Sequence, residues 1–194
     1  YIPERAQAQT FSSGIRETIN IIDGDSTKSQ EPLSFSDDMT GSILRGFFKD
    51  GELDSVRLEG MATTLYHIFE DSIYQGSNRA SGDTIVLKFG EDDLESIFIS
   101  GGSEGTYTPD SLGSDIDGKV VYQSDKIKYN MQDESTDLLG EANIDYTDMN
   151  LKAGFINVAW RSNLLKALPS SDKDSTITPF RPTMIEEGNE PMVG

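Results

Sequence analysis

Few residues in this sequence have the chemistry to catalyse anything. Histidine occurs once, as His67 in Leu65-Tyr66-His67-Ile68-Phe69, and cysteine does not occur. A Ser-His-Asp or Cys-His arrangement has only His67 to draw on, and no Gly-x-Ser-x-Gly elbow accompanies it. Without cysteine there is no disulfide framework and no thiolate metal ligand. Gly101-Gly102-Ser103-Glu104-Gly105 is glycine-rich but lacks the lysine and following helix of a phosphate-binding loop, so it reads as a turn. Two acidic clusters, Glu91-Asp92-Asp93 and Asp115-Ile116-Asp117-Gly118, carry the hard oxygen ligands that calcium prefers. The first falls where a hairpin turn is expected, and the second lacks the spacing and closing glutamate of an EF-hand. Paired carboxylates for glycoside hydrolysis need a defined separation and one acid of raised pKa; among 34 Asp and Glu residues no pair stands out. Trp160 and the tyrosine-rich strands read as packing rather than a sugar platform. No catalytic residue, metal or cofactor is expected.

The elements that would position any site are strands. From Gly41 the chain repeats at a constant offset of 41 residues without a gap. Gly41–Phe48, a polar turn at 49–52 and Leu53–Gly60 align with Gly82–Phe89, a turn at 90–93 and Leu94–Gly101. Gly41/Gly82, Phe48/Phe89, Leu53/Leu94, Ser55/Ser96 and Gly60/Gly101 are identities, and Tyr66 and Tyr107 fall in step. A looser third unit runs over Ser124–Met131, a turn at 132–135 and Leu138–Tyr146. A fourth runs over Met149–Trp160, a turn at 161–163 and Leu164–Leu168. Each is a strand, a turn rich in Asp, Gly, Asn or Ser, and a second strand.

Within the strands apolar residues alternate with polar ones. Ile85, Leu87 and Phe89 share a face opposite Val86 and Lys88; Ile127, Tyr129 and Met131 oppose Lys126, Lys128 and Asn130. Period two means one buried face and one wet face. A single strand pair cannot bury its apolar face alone, so successive pairs must stack or curl over one another. The expected fold is all-β: an elongated β-roll or jelly roll of repeated antiparallel strand pairs. Residues 1–40 are the least regular, with a strand or a helical turn around Ile15–Ile22 left open and 24–32 a loop by composition. Residues 41–168 form the roll, with longer connections looping out at Phe69–Arg79 and Thr108–Lys119. Residues 169–194 are a linker and the start of a further strand unit. The chain begins at Tyr1 rather than Met and ends in strand-like fashion at Pro191-Met192-Val193-Gly194, so a processed form or a portion of a longer chain is expected.

Charge narrows the partners. Sixteen Lys and Arg against 34 Asp and Glu give a formal −18, which opposes nucleic-acid binding because a phosphate backbone would be repelled. No apolar stretch approaches the roughly 18 residues of a membrane helix.

The third and fourth units carry a resemblance. Ser124-Asp-Lys-Ile-Lys-Tyr129, Leu138-Leu-Gly-Glu-Ala-Asn-Ile-Asp-Tyr146, Asn150-Leu-Lys-Ala153, Ile156, Trp160 and Asn163-Leu-Leu-Lys-Ala167 resemble the short strands of the OstA-like family. The tract from Asp71 to Ile85 and Gly105-Thr-Tyr-Thr-Pro109 is similar to larger members. The resemblance spans roughly Gly41 to Leu168. It implies the periplasmic β-jelly-roll domain of lipopolysaccharide transport proteins of the LptA/LptD type, near the outer membrane of a Gram-negative bacterium. The lead-in after Arg181 favours a portion of the larger outer-membrane assembly protein over the small bridging one. Implied partners are lipopolysaccharide or a related glycolipid, other jelly-roll transport proteins joined by edge-strand addition, and an outer-membrane β-barrel, in the same chain or another. The family has no catalytic residues to carry over.

On that implication the alternating apolar residues would line a trough for acyl chains: Leu58, Ile85, Leu87, Phe89, Ile97, Ile99, Ile127, Tyr129, Ile144, Leu151, Ile156, Val158 and Trp160. The anionic headgroups would stay in solvent, with divalent cations, or near Lys126 and Lys128. Two other readings stand beside it: a closed β-solenoid scaffold or adhesin without a lipid ligand, and a carboxylate-dependent polysaccharide hydrolase.

Overall fold

The computed structural model describes residues 5–22, 25–90, 94–114, 116–160, 162, 164–169, 181–186 and 191–193, with backbone alone at 19–22 and 25–27. Every regular element among them is a strand: β1 Ala6–Ile22, β2 Asp25–Gly41, β3 Ile43–Lys49, β4 Glu52–Glu70, β5 Ile73–Phe89, β6 Leu94–Pro109, β7 Val120–Asn130, β8 Ser135–Tyr146, β9 Met149–Ala159, β10 Leu164–Leu168, β11 Thr183–Glu186 and β12 Met192–Val193. The chain is all-β, as the alternation requires.

The hairpin units exist, but their strands run further than the repeat suggested. β4, β5 and β6 span 19, 17 and 16 residues, and each passes through a glycine that bounded a repeat: Gly60, Gly82 and Gly101. Pairing registers break there in a line across the sheet, at Glu59/Ala62, Ser81/Thr84, Ser100/Ser103, Gln123/Lys126 and Leu139/Ala142. These are β-bulges, which bend strands sharply. Gly101-Gly102, read from sequence as a turn, is therefore a bend inside β6, with φ of 83° and 61°. An L side chain is strained at such angles. A Cβ on Gly101 would also collide with the Asp83 carboxylate on the neighbouring strand.

The bend divides the sheet into two halves. On the side of turns 50–51 and 131–134, the order is β3-β4-β5-β6-β7-β8-β9-β10. On the other side it is β1-β2-β4-β5-β6-β7-β8-β9-β11-β12. The halves face each other. Tyr122 and Tyr129 lie seven residues apart on β7, about 24 Å along a straight strand, yet their hydroxyls are 2.5 Å apart. Only a strand folded at Ser124-Asp125 permits that contact. The inner faces supply one core, running from Met39 and Leu58 through Ile85, Ile99 and Ile127 to Leu151 and Ile156.

Two expected loops are strand. Residues 25–32 belong to β2, whose partner β1 supplies an antiparallel ladder from Ala6↔Gly41 to Ile22↔Asp25. Phe69–Arg79 is not a looped connection: a tight turn at Asp71-Ser72, both with positive φ, joins β4 directly to β5. Composition misled here because Gly76 and Asn78 occupy buried positions on β5, Gly76 where the Thr108 backbone approaches too closely for a Cβ. Residues 110–119 do form a long connection, between β6 and β7. Most of the expected linker, 170–180, lies outside the described residues, while β11 and β12 extend the existing sheet.

The outer face of the β3–β10 half shows three registered rows. One is Phe47, Ser55, Lys88, Ser96, Asn130, Ser135, Ala159 and Leu164. The next is Arg45, Arg57, Val86, Phe98, Lys128, Asp137, Asn157 and Lys166. The third is Ile43, Glu59, Thr84, Ser100, Lys126, Leu139, Phe155 and Leu168.

Candidate functional site in the sheet interior

The thirteen residues expected to line a trough all belong to the interior. Leu58, Ile85, Leu87, Ile97, Ile99, Ile127, Tyr129, Ile144, Leu151 and Ile156 are buried; Phe89 and Val158 are half-buried against them. Trp160, just past β9, reaches inward, its indole Nε1 donating to Thr136 Oγ1 at 2.9 Å while its ring packs 6.1 Å from that of Tyr107. They do not form one open surface. Leu58, Ile85, Ile97, Ile99, Ile127 and Ile156 are at most 1% exposed, packed against other side chains rather than bordering space.

The open space lies at the side of the interior spanned by the 110–119 connection. One cavity of about 400 Å³ is bordered by Tyr66, Ile68, Phe69, Asn78, Tyr107, Ile116, Tyr129, Met131 and Trp160, among others. A second, of about 170 Å³, is bordered by Val120, Tyr122, Leu138, Ile144, Met149, Val158, Leu165 and again Ile116, Thr136 and Trp160. Those last three side chains therefore stand between the two cavities. The second is almost wholly apolar in lining; the first mixes apolar side chains with the amides of Gln75 and Asn78 and the carboxylate of Glu70.

Ile116 explains the connection that carries it. The acidic stretch that lacked the spacing of a calcium loop turns its apolar residue into the core, leaving Asp117 exposed. Asp110 starts the segment: its carboxylate accepts from the backbone N–H groups of Leu112 and Gly113 at 3.3 and 3.2 Å and from Arg16 Nη2 at 2.9 Å. That is an Asx-type turn fixed by an ion pair from β1. The other acidic cluster, Glu91-Asp92-Asp93, lies outside the described residues.

A buried hydroxyl cluster occupies the meeting line of the two half-sheets. Tyr122 Oη donates to Asn78 Oδ1 at 2.6 Å and shares a hydrogen bond with Tyr129 Oη; Tyr66 stands edge-on to Tyr129 at 5.9 Å. Burial opposes phenolate formation and pushes Tyr122 up to about 12, and Tyr66 and Tyr129 well above the ordinary tyrosine range. The ring of Tyr122 has room because β6 carries Gly105 beneath it, where any Cβ would overlap the ring.

His67 fastens strands together. Its backbone N–H and its Nδ1 both donate to Asp37 Oδ1 at 2.8 Å, and Phe35 stacks on the imidazole at 4.2 Å with planes 9° apart. Ser12 Oγ donates to the same carboxylate. The order is Ser-Asp-His, with the carboxylate between, so the imidazole is not placed to take the Ser12 proton as a nucleophile's base would be.

Sequence reasoning missed Tyr66, Asn78, Tyr107, Ile116 and Tyr122. Tyr122 continues the alternation of Tyr129 and Ile127 backwards across the β7 bulge, where period-two counting slips by a residue. Asn78 lay in a segment read as loop, and Ile116 between two aspartates.

No family model and no curated protein matches the chain. Among solved structures it matches the crystal structure of LptH, described as the LptA homologous periplasmic component of the conserved lipopolysaccharide transport device from Pseudomonas aeruginosa. The two share 14% identity over 76% of this chain and 92% of that one, with a TM-score of 0.58. At that identity what is shared is the fold: the chain is built as the same kind of elongated β-jelly roll.

Proposed function

We propose that this chain is a non-catalytic periplasmic conduit domain that shelters the acyl chains of lipopolysaccharide, or of a related glycolipid, on their way toward the outer membrane. The observation that carries the reading is an apolar interior, continuous between the half-sheets, that opens into two adjoining cavities. It is supported by the fold shared with a lipopolysaccharide-transport component. Moving an acyl chain through water costs about 0.8 kcal/mol per exposed methylene. An apolar interior lowers that cost at every step without bond chemistry. The cavities mark the side at which a chain would enter, and Ile144, Val158, Trp160 and Tyr129 are the trough residues that border them. Deeper residues such as Leu87 would meet lipid only after the half-sheets part along the line of bulges. Lys126 and Lys128 lie outside the sheet, on the opposite face from Ile127 and Tyr129, so headgroups of lipid held inside would not reach them. Unpaired edges at β3 and at the β10–β12 end are suited to strand addition by neighbouring jelly-roll domains or a barrel's periplasmic part; membership of the larger assembly protein belongs to the same proposal.

Photoreactive benzoyl-phenylalanine placed at Ile144, at Val158, at Leu87 and at the outward Thr106 tests it. A conduit crosslinks glycolipid from Ile144, crosslinks weakly or not at all from Leu87, and stays silent at Thr106. A folded protein silent at Ile144 and Val158 alike refutes the conduit. One observation favours the scaffold reading: the deepest core residues are packed without space, as in a closed solenoid that never opens. Silence at Ile144 and Val158 would decide for it.

A further inference from the structure

The chain's cations are not spread as its acids are. Six of its 16 Lys and Arg residues stand on the three outer rows of the β3–β10 half: Arg45, Arg57, Lys88, Lys126, Lys128 and Lys166. Those rows hold only two carboxylates, Glu59 and Asp137. The face therefore carries a surplus of four positive charges on a chain whose total is −18, leaving −22 for everything else. The acids sit instead in turns and bends, such as Asp50, Asp83, Asp125 and Asp133. Glu59 is held by Arg45 and Arg57, and Asp137 accepts from Asn157 at 2.7 Å. Lys88, Lys126, Lys128 and Lys166 are exposed with no ion-pair partner among the described residues.

Apolar side chains stand between these cations in the same rows. Phe98 neighbours Lys128, and Leu139 neighbours Lys126, each 37% exposed; Leu168 and Phe47 extend the pattern toward the two edges at 39% and 47%. Eight strands at about 4.8 Å make the face roughly 34 Å wide, and three rows make it about 14 Å tall. The larger cavity reaches only the rim of this face, at Asn130 and Ser135; its cations and the apolar side chains between them border neither cavity. A broad face that alternates flexible cations with apolar side chains matches a laterally extended partner that offers both anionic groups and an apolar boundary layer. A hydrated polyanion offers only the first.

We propose that the outer face of the β3–β10 half docks on a membrane surface containing anionic phospholipid, lysines to phosphates and Phe98 and Leu139 to the acyl boundary. Lysine stems lie along apolar surface while their ammonium groups reach the headgroups. At physiological salt charges beyond about 8 Å are screened, so the opposition left to the face comes from the bend acids Asp83 and Asp125, which adjoin its third row at Thr84 and Lys126. The proposal holds whether or not the interior accepts acyl chains.

The test is flotation of the full chain with vesicles of phosphatidylcholine, and of three parts phosphatidylcholine to one part phosphatidylglycerol, at about 0.1 M salt. Binding is expected to the mixed vesicles alone and to fade with added salt. Replacing Lys126 and Lys128 by Gln should cut partitioning roughly thirtyfold. Replacing Arg79 and Lys152 by Gln, outward on the other half-sheet, changes net charge equally and should leave it within about threefold. Unaltered thermal unfolding of both double variants shows that the fold is intact. No binding to the mixed vesicles, or equal loss in both variants, overturns the proposal. So does lysine-dependent self-association of the chain without vesicle binding, which would make the face a contact between copies.

Discussion

Raising the pH should unfold this protein from within, through its buried tyrosines. Tyr122 ionises at about 12 in the folded chain, because burial in the cluster with Asn78 and Tyr129 denies the phenolate its hydration, and near 10 when unfolded. A folded-state value above the unfolded one means the unfolded chain releases its proton first. The contribution of Tyr122 to stability is thus whole below pH 10 and is lost as pH rises from 10 to about 12. Two units at about 1.4 kcal/mol each come to about 3 kcal/mol, and Tyr66 and Tyr129 are displaced in the same direction by the same cause. Against a domain stability of about 5–15 kcal/mol, that is a large share, so stability falls steeply above pH 10. The assay pairs urea unfolding at pH 8, 9, 10 and 11 with phenolate absorbance. Urea midpoints should stay level up to pH 9 and fall beyond it, with phenolate from the cluster appearing only as tertiary structure is lost. If every tyrosine titrates near 10 while the fold persists, the buried cluster is refuted.

Four substitutions probe other parts of the same architecture. Gly105→Ala forces the Tyr122 ring away from β6 and should cost about 1–3 kcal/mol by urea unfolding, with a drop in the alkaline transition; an unchanged midpoint would deny the close approach. Ile99→Ala, at a position with no exposed surface, should cost about 2–5 kcal/mol, while Phe98→Ala, next to it but facing out, should cost under about 1 kcal/mol; equal losses would break the alternation. Asp110→Ala removes two backbone acceptor bonds and the Arg16 ion pair, a loss of about 2 kcal/mol. It should also speed hydrogen exchange at the amides of Leu112 and Gly113, and unchanged protection would show that Asp110 does not hold the segment closed.

The strands of the fold were legible because burial on one face forces period two, and Ile85-Val86-Leu87-Lys88-Phe89 has no other regular use. The hairpin turns were legible as well, since Asp50-Gly51 offers the backbone angles a tight turn needs. The bends were present in the sequence as Gly60 and Gly101 but read as strand ends. A glycine with positive φ serves a turn and a bulge equally, and only cross-strand pairing distinguishes them. The candidate lining residues shared a face by alternation alone. Which of them border space was not legible, because that depends on Ile116 and Trp160 arriving from distant points in the chain.

The bends give alternation its functional meaning. A flat antiparallel sheet of this sequence would leave Leu58, Ile99 and Ile127 on a naked apolar surface tens of ångströms wide, an aggregation hazard rather than a site. Folding each strand once, with glycines of positive φ at the bends of β4, β6 and β8, turns that surface upon itself while hydrogen bonding continues on both sides. The same fold line separates the polar residues into two outer faces that share no register. One of them is then free to collect lysines while the turns and bends collect the acids. Net charge alone conceals that division, because its −18 averages a basic sheet face with an acidic periphery. A Lys126→Glu/Lys128→Glu variant makes the point measurable: it changes the total only from −18 to −22, yet it erases the whole positive surplus of the face. If function follows the local field, its vesicle binding should vanish altogether. If only total charge matters, the loss should be no greater than for Arg79→Glu/Lys152→Glu.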